Sequence, residues 1–107
     1  MTTVTVSLIN GVERSTAHPT TFEVPNEEDR ETIQVGDHVK IGLESAAAGG
    51  ERFWVRITEV RIEQDQFLYA GAVDNDLIIY DIPLGEILEF DPEHVLSIIR
   101  NKERTIQ

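Results

Sequence analysis

The residues of this chain best equipped for chemistry are its carboxylates. Nine lie between positions 62 and 99 (Glu63, Asp65, Asp74, Asp76, Asp81, Glu86, Glu89, Asp91, Glu93), with no Lys or Arg among them. The nine basic residues all fall outside that stretch, at Arg14, Arg30, Lys40, Arg52, Arg56, Arg61, Arg100, Lys102 and Arg104. Carboxylates gathered in this way could coordinate a hard cation, pair for general acid–base work, or attract a basic partner. The cation reading starts from Asp74, Asp76 and Asp81, with Glu93 and His94 as further ligands if the fold brings them close. An EF-hand loop opening at Asp74 would need Gly where the chain has Ile79 and Glu where it has Gly85, so that motif fails. The triplet Asp74-Asn75-Asp76 reads more simply as a turn whose side chains bond their own backbone.

Catalysis finds less support. His18 precedes Pro19 in a loop, His38 stands at the mouth of a strand, and His94 follows Asp91 in a helical first turn, where the dipole disfavours its cation. Ser7, Ser15, Ser45 and Ser97 have no activating neighbours, and no nucleophile elbow, phosphate loop or zinc-protease pattern occurs. The chain has no cysteine, which removes thiolate nucleophiles, disulfides, zinc ribbons and iron–sulfur ligation together. No motif calls for a cofactor. A small hydrolase-type enzyme is therefore the last of the alternatives.

The most pointed surface signal is the stripe Arg52, Trp54, Arg56. By strand alternation it lies opposite Phe53, Val55 and Ile57 and faces away from the interior. Arg and Trp are common binding anchors, and a guanidinium can stack on an indole. The plainer reading has Trp54 covered by residues 16–34 as a second small core, because a large indole is usually mostly buried. Direct nucleic-acid binding would need a basic face with interleaved aromatics, and the net charge of −11 opposes it.

These groups must be held by a chain of 107 residues, which makes one domain with a single modest core. A hydrophobic content of 40% fits a soluble globular protein, and no apolar run approaches membrane-spanning length. The start lacks the basic and apolar regions of a secretory signal, so a cytoplasmic location is expected. Val4, Val6 and Leu8 alternate with Thr3, Thr5 and Ser7, predicting a half-buried strand. Asn10-Gly11 then suggests a hairpin, with residues 12–16 returning antiparallel. Residues 17–34 read as an irregular connection, with Glu27 to Glu31 as a solvated charged turn or one helical turn.

Val39, Ile41 and Leu43 alternate strictly, and residues 45–50 read as a small flexible loop. Phe53, Val55 and Ile57 share one parity while Val60 and Ile62 take the other, so a β-bulge near Thr58-Glu59 is expected to return all five to one core. Gln64-Asp65 predicts a turn, residues 67–73 a strand bent at Gly71, residues 77–82 another strand, and residues 87–90 a further one. Asp91-Pro92 has the grammar of a helix start, read here as a single tight turn before a last strand. Val35-Gly36-Asp37 and Leu84-Gly85-Glu86 echo one another, predicting that two strands are entered through the same Gly turn, with the acid bonding the turn's own N–H groups. Residues 100–107 read as a flexible tail.

The segments Phe22-Glu-Val-Pro25, residues 35–40 (VGDHVK), 50–59 (GERFWVRITE), 71–76 (GAVDND) and 91–95 (DPEHV) resemble an uncharacterised bacterial family of small β-rich domains of unknown function. The likeness spans about three quarters of the chain, from His18 to Leu96. It implies a compact bacterial β domain and carries no activity and no catalytic residue.

Together these readings predict an all-β domain with room for one short helix, built as a small SH3-like barrel or a strongly bent antiparallel sheet. The expected function is non-catalytic: an interaction module, inhibitor- or immunity-like in charge and size, that binds a basic protein surface. The expected contact residues are Asp65, Asp74, Asp76, Asp81, Glu86, Glu89 and Glu93, with Trp54 and Arg56 at the rim. Divalent-cation binding is the alternative.

Overall fold

A computed structural model describes residues 6–20 and 22–101. In chain order the elements are β1 (Ser7–Leu8), α1 (Gly11–Ala17), α2 (Glu27–Arg30), β2 (His38–Ser45), β3 (Gly49–Glu63), β4 (Gln66–Val73), β5 (Ile87–Phe90), a 3₁₀ turn (Pro92–His94) and β6 (Ser97–Ile99). The fold is all-β, as alternation predicts. Six antiparallel strands lie in the order β1-β2-β3-β4-β5, with β6 returning to pair with β2, and the sheet curls into a half-barrel.

Alternation builds the concave side. Val39 and Ile41 of β2 and Val55 and Ile57 of β3 are completely buried, with Phe53, Tyr69, Val73, Phe90 and Val95 beside them. The β3–β4 register slips between Ile57 and Glu59, so Thr58 is the bulged residue that the parity change requires. The bulge turns Val60 back toward the core but leaves Ile62 66% exposed, so four of the five expected residues join it. Gly71 permits β3 and β4 to close up: a Cβ there would stand 2.8 Å from Val55 Cγ2.

Both echoed Gly turns form, but the acid bonds its own turn only in the first; the exposed Glu86 carboxylate makes no hydrogen bond among the described residues. Gly36 and Gly85 have φ of +95° and +88°, and their N–H groups donate to the carbonyls of Ile57 and Val73. In the first turn the acid goes further than capping. Asp37 is fully buried; its Oδ2 accepts from Gln34 N at 2.9 Å and from Arg100 Nη1 at 3.4 Å, and its Oδ1 accepts from Asn101 N at 2.8 Å. Arg100 and Asn101 are therefore tied into the domain and are no part of a loose tail; residues 102–107 lie outside the described residues.

Two expected elements are replaced. Residues 12–16 do not return as a strand. Asn10 instead caps α1, its Oδ1 accepting from Glu13 N at 2.9 Å, and Ile9 and Gly11 are the buried residues on either side of the cap. The pattern that placed Leu8 inward holds in part, since Leu8 is half-buried and Val6 exposed; Val4 lies outside the described residues. Residues 77–82 form no strand either. They belong to an irregular loop between β4 and β5, held by the Glu51 carboxylate, which accepts from the N–H groups of Ile78 (2.6 Å), Ile79 (2.7 Å) and Tyr80 (3.2 Å). The charged run before β2 is the single helical turn α2, and the 3₁₀ turn followed by β6 is the predicted tight turn and strand.

Candidate functional site

A cleft of about 380 Å³ opens where α2, the β3–β4 turn and the 3₁₀ turn converge. Asn26 caps α2 through its Oδ1 to Asp29 N (2.8 Å), which starts the helical turn that carries Glu27 and Glu31 to the cleft. The core secures that turn from beneath, since the Tyr69 hydroxyl donates to the Arg30 carbonyl at 2.7 Å. Across the cleft, Gln64 and Asp65 both take positive φ (53° and 64°), as a two-residue hairpin turn with primed geometry demands. From below, Asp91, Pro92 and Glu93 close the wall. In this turn Asp91 N donates to His94 Nδ1 and His94 N donates to the Asp91 carbonyl, both at 3.0 Å.

The lining combines two chemistries. Phe67, Val12 and Pro92 give apolar surface, while Glu27, Glu31, Asp65, Asp91 and Glu93 ring it with carboxylates. Arg30 is the single basic lining residue, and its Nε donates to the Pro25 carbonyl at 2.9 Å. Among the described residues Glu27, Glu31, Asp65 and Glu93 have no base within 4.0 Å. A second hollow of about 440 Å³ shares Gln66, Phe67 and Asp91, so the acidic surface continues past the Phe67 ring.

The expected contact residues do not form one continuous face. Asp65 and Glu93 line the cleft, but Asp74, Asp76, Asp81 and Glu86 ride on the β4–β5 loop at the opposite end of β4. An eight-residue strand separates the two groups by roughly 25 Å. Glu89 lies between them on β5 and is neutralised by Arg61 Nη2 at 2.6 Å. Asp74 is engaged by His38 Nε2 at 2.8 Å. Glu27 and Glu31 were missed as cleft residues because only tertiary packing brings α2 beside residue 65.

The basic stripe faces outward as its parity predicts. Arg52 and Arg56 are exposed, and Trp54 is half-buried beneath Lys40 Nζ, 5.2 Å from the ring centroid. Phe22, from the irregular segment, lies against Arg52 (4.9 Å) and Arg14 (5.9 Å). Arg14 also holds Glu44 through both carboxylate oxygens.

One group of potential metal ligands occurs among the described residues: atoms of Asp91, Glu93 and His94 lie within 4.8 Å of one another. It is not the predicted set, since Asp74, Asp76 and Asp81 belong to the far end. Its chemistry is also poor for a cation. His94 Nδ1 already accepts the Asp91 N–H, so in the neutral ring Nε2 carries the proton and no ring lone pair remains for a metal.

No protein-family model, no curated protein and no solved structure matches the chain. Among the described residues no helix is long and apolar enough to cross a membrane.

Proposed function

We propose that this chain is a non-catalytic interaction module that takes a basic segment of a partner protein into the cleft between α2, the β3–β4 turn and the 3₁₀ turn. The observation that supports the reading is the lining itself: carboxylates of Glu27, Glu31, Asp65, Asp91 and Glu93 around the apolar surface of Phe67 and Pro92. A Lys or Arg side chain has the matching construction, an apolar stem with a charged head. Its head would form charge-assisted hydrogen bonds to the rim, and the net charge of −11 would speed encounter with any basic surface. Inhibitor- or immunity-like masking of a basic cleft on another protein fits these properties by analogy of charge and size. Kinship with the uncharacterised bacterial domain family is part of the same proposal and adds no activity to it.

The test is a titration with a labelled Lys/Arg-rich peptide at rising ionic strength. Binding should weaken steadily as salt shortens the screening length below about 10 Å. Asp65→Asn combined with Glu93→Gln should weaken it by about tenfold or more at low salt. Neither side chain takes part in a hydrogen bond or ion pair within the described residues, so the melting temperature should hold. Affinity indifferent to both salt and the double substitution would contradict the reading.

A further inference from the structure

The opposite end of the sheet carries a second surface, which the cleft does not use. Carboxylates outnumber Lys and Arg by 20 to 9, so most bases should find an acid nearby. Arg14, Arg61 and Arg100 do. Arg30 at the cleft and Lys40, Arg52 and Arg56 have none within 4.0 Å among the described residues, and the last three share one face of two neighbouring strands. The register sets Lys40 beside Trp54, Gly42 beside Arg52 and His38 beside Arg56, so three unneutralised cations surround the single Trp of the chain.

Next to this stripe stands its chemical opposite. The β4–β5 loop begins where Asp74 N donates to the Trp54 carbonyl and Asn75 Oδ1 accepts from Trp54 N. The loop presents Asp76, Asp81 and Glu86, all exposed and without a base among the described residues. Between these acids it holds apolar side chains out in water: Ile78 is 93% exposed, Leu84 65% and Ile79 46%. The loop is also braced, by the three N–H bonds to Glu51 and by the Tyr80 hydroxyl, which donates to the Gly49 carbonyl. A braced loop that exposes isoleucines at its tip has the form of a docking element.

We infer that this end of the molecule binds a second copy of the same chain about a two-fold axis. Two neighbouring patches of opposite charge are self-complementary under such an axis: each copy's loop lies on the other's stripe. Lys40, Arg52 and Arg56 of one protomer then meet Asp76, Asp81 and Glu86 of its partner, and Ile78 and Leu84 leave water against the Trp54 face. The occupant is chosen by charge complementarity, since the loop adjoining the stripe supplies the acidic, apolar counterpart that the stripe lacks. The cleft lies at the other end of β4, so dimerisation leaves it open.

Sedimentation equilibrium on the intact chain tests this, using a concentration series at low and high salt. At low salt the mass should rise with concentration from 12.1 kDa toward twice that value, and high salt should reverse the rise. Two charge-reversed variants complete the experiment, Arg52→Glu with Arg56→Glu, and Asp76→Arg with Asp81→Arg. Each alone opposes like charges and should weaken self-association by about a hundredfold. An equimolar mixture restores both contacts and should form a one-to-one dimer. Circular dichroism verifies that each variant is folded. A wild-type chain that stays monomeric, variants that dimerise undiminished, or a folded mixture that stays monomeric would each overturn the inference. A mass climbing past the dimer would overturn the two-fold arrangement, and an acidic peptide binding a monomeric wild type on the stripe would replace the second copy as occupant.

Discussion

The Tyr69 hydroxyl reaches the backbone carbonyl of Arg30 at 2.7 Å, joining a fully buried core ring to the helical turn that carries Glu27 and Glu31 to the cleft. Tyr69→Phe leaves that carbonyl without its donor and should cost about 1–2 kcal/mol in urea denaturation. It should also loosen α2, seen as faster amide exchange at residues 30 and 31.

The same hydroxyl sets an alkaline limit. Burial lifts the Tyr69 phenol from 10.0 to about 12, so the folded state favours the protonated ring. Its contribution to stability is whole below pH 10 and is lost as the pH rises toward 12. The wild-type chain should therefore lose stability across that window, and the Tyr69→Phe chain should lose less. Denaturation midpoints measured at stepped pH will show whether the two curves converge.

Asp37 is the second internal tie. Its carboxylate takes N–H groups from Gln34 and Asn101 and a guanidinium from Arg100, all while fully buried. Asp37→Ala takes the acceptor from the Gln34 and Asn101 N–H groups and the counter-charge from Arg100, which keeps the Thr32 carbonyl, and should destabilise by about 3 kcal/mol or more. Asp37→Asn should recover part of the loss, because it keeps one acceptor. Chemical denaturation of the two variants gives the ranking, and an Ala variant as stable as wild type would refute the role.

Glu51 governs the β4–β5 loop. The Ile78 N–H, opposed by burial and aided by the N–H groups of Ile79 and Tyr80, holds its carboxyl below the ordinary 4.5. A lowered value means that this tie is intact above pH 4.5 and fails as the pH falls through the lower folded value. Amide exchange at residues 78–80 should accelerate in that acid range. Glu51→Gln should show fast exchange already at neutral pH.

Millimolar calcium or magnesium, matched against sodium chloride of equal ionic strength, should move the melting temperature by less than about 2 °C. The reason is the committed His94 Nδ1 at the one ligand group among the described residues. A larger rise, abolished by Asp91→Asn with Glu93→Gln or by Asp74→Ala with Asp76→Ala, would restore the cation reading.

Period-two alternation carried most of the fold. It placed Val39, Ile41, Phe53, Val55 and Ile57 inward and put a bulge near Thr58-Glu59 from a single change of parity, where the register does shift. The failures have separate physical causes. Asn10-Gly11 satisfies a hairpin and a helix cap equally well, and the acid three residues on, Glu13, was the available sign of the cap. Residues 77–82 look like a strand by composition, but the N–H groups of Ile78, Ile79 and Tyr80 are claimed by Glu51, 27 residues before Ile78, a partner that no local pattern reveals. The site was legible in charge and not in place. Counting acids between residues 62 and 99 found Asp65 and Glu93, but it merged two ends of β4 and passed over Glu27 and Glu31, which only tertiary packing brings to the cleft.

The proposed function rests on the acidic cleft receiving a basic segment. Backbone amide shifts mapped during titration with a Lys/Arg-rich peptide test it most directly. Saturable changes are expected at Glu27, Glu31, Asp65, Phe67 and Glu93, and they should vanish at high salt. Changes confined to the β4–β5 loop, or spread evenly over the surface in proportion to local charge, would contradict it.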